Sequence, residues 1–158
     1  TTLCTLGKRD VLARLLQTGV RLPRVITSCQ TYLLEHADML RMLLAHGMSP
    51  DLMNWQYQTL LHFCCQRSDR ADAAAAVERA SILLDAGADI TARDAEYRST
   101  PLAWAARSNA VTMVEFLIAR GAPTHLPDDE PWATPLAWAE RRGNAEVASM
   151  LRRHDATR

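Results

Sequence analysis

The hexapeptide Thr-Pro-Leu-Ala-Trp-Ala occurs twice, at residues 100–105 and 134–139, a separation of 34. A looser copy, Thr59-Leu60-Leu61-His62-Phe63-Cys64-Cys65, lies 41 residues before the first. Self-similarity at a spacing of about 20 to 50 residues is the mark of stacked supersecondary units, and it governs how every residue inside the period is read. Each copy leads into an apolar segment that ends in glycine, at residues 82–87 and 116–121, and the same ending stands upstream at 42–47 and 15–19. Five units follow, approximately 1–19, 20–47, 48–87, 88–121 and 122–158, the last with Asp155 where the glycine would fall.

The physics of one unit can be argued locally. A threonine hydroxyl at the N-cap satisfies an orphan N–H, and proline at the next position presets φ, so Thr100-Pro101 and Thr134-Pro135 each open a helix. Asn109 and Gly143 stand nine residues after those threonines. Both residue types tolerate the left-handed conformation that stops a helix. Val111, Val114, Phe116, Leu117 and Ile118 then supply an apolar face at helical spacing, closed by Gly121. The result is a pair of antiparallel helices, each too short to bury its face alone, so the units must stack.

Composition agrees with this reading. Ala and Leu number 25 and 21 against 7 Val and 4 Ile, an excess of good helix formers that argues against a mainly β protein. Lys plus Arg equals Asp plus Glu at 18 each, so the chain has no field with which to hold a polyanion, and nucleic acid is not an expected partner. The longest apolar runs, such as residues 73–77, fall far short of the roughly 18 needed for a membrane span, and no basic-then-apolar leader opens the sequence. Cys4, Cys29, Cys64 and Cys65 form no C-x-x-C pair or zinc-like spacing. They read as thiols of a cytoplasmic protein. With 17 Arg to one Lys, Lys8, the expected source is bacterial.

At these residues the chain resembles the ankyrin repeat. The shared features are T-P-L-x-x-A-A, a turn, an L-L-x-x-G-A-D ending, and a polar hairpin, most closely at residues 83–94. The resemblance implies a mainly α solenoid of helix-turn-helix units with short β-hairpin-like connections, one domain over residues 1–158. Two positions depart from the family pattern. Its histidine after T-P-L survives only as His62, being alanine at Ala103 and Ala137, and stability there should lean on Trp104 and Trp138. Its glycine two residues before the threonine is replaced by Tyr57, Arg98 and Trp132.

Unit lengths vary as well. Residues 7–19 fit only the latter part of a unit, so further N-terminal sequence is expected. The second unit is degenerate, its first helix placed at about 23–29 in preference to about 28–34. The third is longer by seven between Thr59 and Gly87, in an Ala-rich stretch, which predicts a second helix that begins two turns early near Asp72, with that aspartate as N-cap.

No catalytic, cofactor or metal site is assigned. His62 with Cys64 or Cys65 is the only local Cys/His grouping, and the repeat register gives all three packing roles. The run Asp128-Asp129-Glu130 lacks the alternating ligands of a calcium loop and reads as a solvated hairpin tip. Phe63, Trp104 and Trp138 share one repeat position and read as core. Partner-binding candidates are the hairpin aromatics Trp55, Tyr57, Tyr97 and Trp132, and the arginines that recur near the ends of the first helices, Arg67, Arg107, Arg141 and Arg142. Trp55 and Tyr97 are expected to point outward. Tyr57 and Trp132 either anchor a partner or fill space against the next hairpin. The arginine row suits an acidic protein surface or, equally, a helix-dipole and solubility role. The expected function is a monomeric protein–protein interaction module, its partner docking across the hairpin tips and the concave first-helix face. The alternatives are a bacterial immunity or inhibitor protein, the targeting part of a larger enzyme or effector, and a structural spacer.

Overall fold

The computed structural model describes residues 9–22, 34–66 and 72–157. Among them are eight helices: α1 (Arg9–Gln17), α2 (Ala37–Ala45), α3 (Leu60–Gln66), α4 (Ala73–Asp85), α5 (Pro101–Arg107), α6 (Val111–Ala119), α7 (Pro135–Arg142) and α8 (Ala145–Ala156). They stack in two layers. In one, α5 packs between α3 and α7; in the other, α2, α4, α6 and α8 follow in order, and α3–α4, α5–α6 and α7–α8 close as pairs across the layers. The helix at about 23–29, Gly7, Cys4, Cys29 and Arg67 lie outside the described residues.

The helix starts and stops have the causes read from the sequence. Thr100 and Thr134 are extended N-cap residues whose hydroxyls accept from the N–H of Ala103 at 3.3 Å and Ala137 at 3.2 Å, each followed by proline in the first turn. Asn109 at φ 56° and Gly143 at φ 72° make the turns that follow α5 and α7. Past α6, Gly121 at φ 84° lets its own N–H and that of Ala122 return to the Ile118 and Leu117 carbonyls, each at 2.9 Å. Those last-turn acceptors would otherwise lack partners.

The core is one continuous cluster that runs through both layers, with Leu60, Leu61, Leu83, Ala105, Ala106, Leu117, Ala139, Val147 and Leu151 wholly out of solvent. Cys64 and Cys65 occupy in α3 the buried place that Ala105 and Ala106 occupy in α5, and small side chains there let neighbouring helices approach closely. On the second-helix layer, Arg41 meets Glu78 at 2.8 Å and Arg120 meets Asp85 at 2.7 Å. Exposed pairs of this kind contribute little stability.

The long helix begins where expected, 13 residues starting at Ala73. Asp72 stands at its N-cap as expected, but without the capping bond. Its carboxylate instead meets Arg79 at 3.3 Å, two turns along the same face of α4.

Candidate functional site

Two of the hairpins between units are each organised by a side-chain acceptor at the base. Asn54 Oδ1 accepts from the N–H groups of Gln56 and Gln58, both at 2.9 Å, while Asn54 N–H donates to the Gln58 carbonyl. Asp94 repeats the arrangement: its carboxylate accepts from the N–H groups of Glu96, Tyr97 and Ser99, and its own N–H donates to the Ser99 carbonyl. The span from acceptor to paired residue is four in the first hairpin and five in the second. The two are laced together by Ala95 N–H to the Gln56 carbonyl at 2.7 Å and Gln56 Nε2 to Glu96 at 2.9 Å.

Two aromatics expected to behave alike part here, Trp55 standing one residue after its acceptor and Tyr97 three after its own. Trp55 projects from its hairpin, 77% exposed. Tyr97 does not point outward as predicted. In the longer loop it turns onto the first-helix layer, its ring edge-on to Trp104 at 5.6 Å and Trp138 at 5.4 Å. Hydrogen bonding to the Glu96 side chain, with some desolvation, pushes its phenol above the ordinary value. The positions of the missing glycines explain the backbone. Tyr57 at φ 58° and Arg98 at φ 49° hold the left-handed conformation that glycine would take freely, a strain of roughly 1 kcal/mol for a residue with Cβ. Tyr57 is 59% exposed and Trp132 39% exposed, so neither is tucked away.

The acidic run also departs from its expectation. Asp128 is exposed, but the Asp129 side chain is only 6% exposed, accepting from Arg93 at 2.8 Å and from Leu126 N–H at 2.7 Å. Asp129 stands five residues before Thr134 as Asn54 does before Thr59, and that register was the signal for a structural acceptor. Glu130 meets Arg98 at 3.5 Å.

Below the hairpins, two joints hold the first helices together. His62 is buried; its Nδ1 accepts from Thr59 N–H at 3.1 Å and faces the Thr59 hydroxyl at 2.9 Å, and its Nε2 faces the Ser99 carbonyl at 3.1 Å. A carbonyl only accepts, so the ring is the neutral tautomer protonated at Nε2. Burial lowers its pKa, against the raising influence of the Ser99 carbonyl and Asp94. At the next joint the histidine's place is Ala103, and the Ser99 hydroxyl takes over the contact, reaching the Ala133 carbonyl at 3.1 Å while it accepts from Trp138 Nε1 at 2.9 Å. Trp104 Nε1 is held within its own unit, by Asp94 at 3.1 Å.

A family model described as ankyrin repeats in three copies matches residues 33–130 and, in a second placement, residues 71–157. The chain belongs to the ankyrin-repeat family. No curated protein matches it. Ankyrin repeats generally serve as protein–protein interaction modules, and the family is typically non-catalytic. In this ankyrin array, burial pushes the Cys64 thiol up to about 12 and raises Cys65 likewise, the opposite of what a nucleophile needs. Among the described residues no group of His, Cys, Asp and Glu could hold a metal ion, and no helix is long and apolar enough to cross a membrane.

The arginines of the predicted row have distinct surroundings. Arg107, half-buried, lies over Tyr97 at 4.6 Å, Trp138 at 5.1 Å and Trp104 at 5.2 Å from ring centroids. Arg141 is exposed and stacks on Trp138 at 4.7 Å, one Nη reaching the Trp132 carbonyl at 3.3 Å. Arg142 is exposed. The sequence identified these arginines by register but gave no sign that two of them share one indole.

Proposed function

We propose that this ankyrin array is a protein-binding module whose partner docks across the hairpin tips and the concave first-helix face, with Trp55 and Tyr57 as its anchors. The observation that carries the reading is a large, exposed aromatic pair on a hairpin fixed by Asn54 and tied to its neighbour through Gln56. Tyr and Trp provide broad contact area with few rotors to freeze, and a pre-ordered loop reduces the entropy lost on docking. Left-handed strain at Tyr57 keeps a residue that folding alone would replace by glycine, which supports a role in recognition. The buried thiols support a reducing, cytoplasmic setting.

The test starts from a partner recovered on the immobilised intact chain from cells that express it, followed by its affinity for purified variants. Trp55→Ala should weaken binding by about 2 kcal/mol, the scale of a central hot spot, with the urea midpoint unchanged. A partner bound equally well by a Trp55→Ala, Tyr57→Ala double variant would remove these anchors from the reading.

A further inference from the structure

We propose that Arg107 and Arg141, stacked on the one indole of Trp138, form a two-guanidinium clamp that takes a carboxylate side chain from an acidic segment of the partner protein. The inference rests on the protein-binding reading and names the chemistry of what is bound.

Counter-ions give the first argument. Four arginines of this part of the array have acids of their own, Arg93 with Asp129, Arg98 with Glu130, Arg120 with Asp85 and Arg152 with Glu140, whereas Arg142 and Arg153 are exposed and meet neither an acid nor a ring among the described residues. The nearby carboxylates are engaged as well, Asp94 by three backbone N–H groups and Trp104, and Glu96 by Gln56. Among the described residues, Arg107 and Arg141 meet rings and, for Arg141, one carbonyl, but no carboxylate. Their guanidinium carbons lie 5.1 and 4.7 Å from the same ring centroid. The two charges are therefore no further apart than those legs laid end to end, within a Debye length of about 10 Å. An anion placed between them relieves their repulsion as it binds.

Order gives the second. Stacking occupies the flat face of a guanidinium and leaves its N–H edge for the bidentate geometry that a carboxylate accepts. The rotamer entropy an arginine ordinarily loses on engaging a ligand has been lost on the rings already. The half-buried setting of Arg107 strengthens the attraction over that of a fully solvated pair. The alternative, a cation that merely offsets the helix C-terminal dipole, accounts for charge at the ends of α5 and α7 but not for two arginines converging on one ring. A nucleic acid is disfavoured because two cations on a chain of zero net charge release few counter-ions.

The probe is an N-acetylated, C-amidated tetraglutamate peptide, titrated into the intact ¹⁵N-labelled chain while the indole N–H and arginine Nε–H resonances are followed. The Trp138, Arg107 and Arg141 signals should move together along one saturable isotherm. Arg107→Gln and Arg141→Gln should each weaken it by about tenfold or more, and Arg107→Lys by a smaller factor, since charge remains but the planar fork is lost. Arg142→Gln, which touches no ring, and Trp55→Ala should leave the isotherm within about twofold. A failure of the hairpin anchors would thus show in partner affinity alone, and a failure of the clamp in the peptide isotherm alone. Equal losses from Arg142→Gln and Arg107→Gln would reduce the site to diffuse surface charge and overturn the clamp. So would equal competition by an oligodeoxythymidylate of the same charge, or shifts that fail to saturate.

Discussion

The two joints of the first-helix layer solve one problem with different chemistry. Between α3 and α5 the contact is a neutral, buried imidazole with hydrogen bonds at both nitrogens, reaching the Ser99 carbonyl. Between α5 and α7 the Trp138 indole N–H meets the Ser99 hydroxyl, that hydroxyl meets the Ala133 carbonyl, Asn144 Nδ2 donates to the Ala106 carbonyl at 2.7 Å, and the indole ring is packed by Tyr97 and two arginines. The first joint is closed and internal. The second carries its packing out to the surface, where exposed Arg141 lies over the Trp138 ring.

The largest effect should come from Trp138→Ala. It empties a buried indole site and strips the stack from Tyr97, Arg107 and Arg141, and urea unfolding should register a loss of about 3–5 kcal/mol. A loss below about 1 kcal/mol would mean that the second joint is held by the aliphatic core alone.

His62→Ala comes next, at about 2–3 kcal/mol, because it leaves the Thr59 N–H and one acceptor site of Ser99 without their partner. Its discriminating readout is local. In a chain whose Cys4 and Cys29 are replaced by Ser, thiol reagents should label Cys64 and Cys65 slowly, burial having raised both thiols. His62→Ala should accelerate that labelling more than Trp138→Ala does at matched global stability. The reverse order would place the weaker joint on the other side of α5.

Ser99→Ala separates the joints within one residue, since the hydroxyl serves Trp138 and the carbonyl serves His62. The expected loss is about 1–2 kcal/mol. The imidazole ¹⁵N shifts of His62 should keep the tautomer protonated at Nε2; a change in them would show that the two joints are not independent.

The smallest effect is a pH dependence confined to the first joint. The folded-state pKa of His62 lies below its ordinary 6.5, chiefly through desolvation. A second proton would also have to enter at Nδ1, against the Thr59 donors. As pH falls the unfolded chain takes up this proton first. The stability that His62 contributes is therefore complete above about pH 6.5 and is lost as pH drops through the folded-state value. His62→Gln should unfold with a shallower dependence between about pH 7.5 and 5.5 than the parent chain, whereas Ser99→Ala should keep the parent slope. Parallel slopes for parent and His62→Gln would assign the acid sensitivity to other groups.

The fold was legible because its determinants are local. Thr-Pro pairs, Asn109 and the glycines fix where helices start and stop, and repetition of the motif supplies the stacking. Helix α4 could be placed for the same reason, its Ala-rich start being a matter of propensity. Departures came where a side-chain contact overrides residue type. Asp72 stands at the N-cap as read, yet Arg79, two turns along the same helix, takes its carboxylate. Asp129 was read as solvated from its acidic neighbours, although the register with Asn54 marked it as structural. Of the hairpin aromatics expected to point outward, Trp55 stands exposed. Tyr97 was misplaced because its ring packs against Trp104 and Trp138, contacts that its own residue type does not announce.

Ser99 has a consequence beyond either joint. Its carbonyl takes His62 from one side and its hydroxyl takes Trp138 from the other, so a single residue is the shared fastening for three consecutive helix pairs. In arrays whose units touch only their neighbours, tension peels one unit at a time from an end. Here a pull across residues 59–157 would load both fastenings at one residue, and the stretch should let go as a single mechanical element, at one rupture force instead of a staircase.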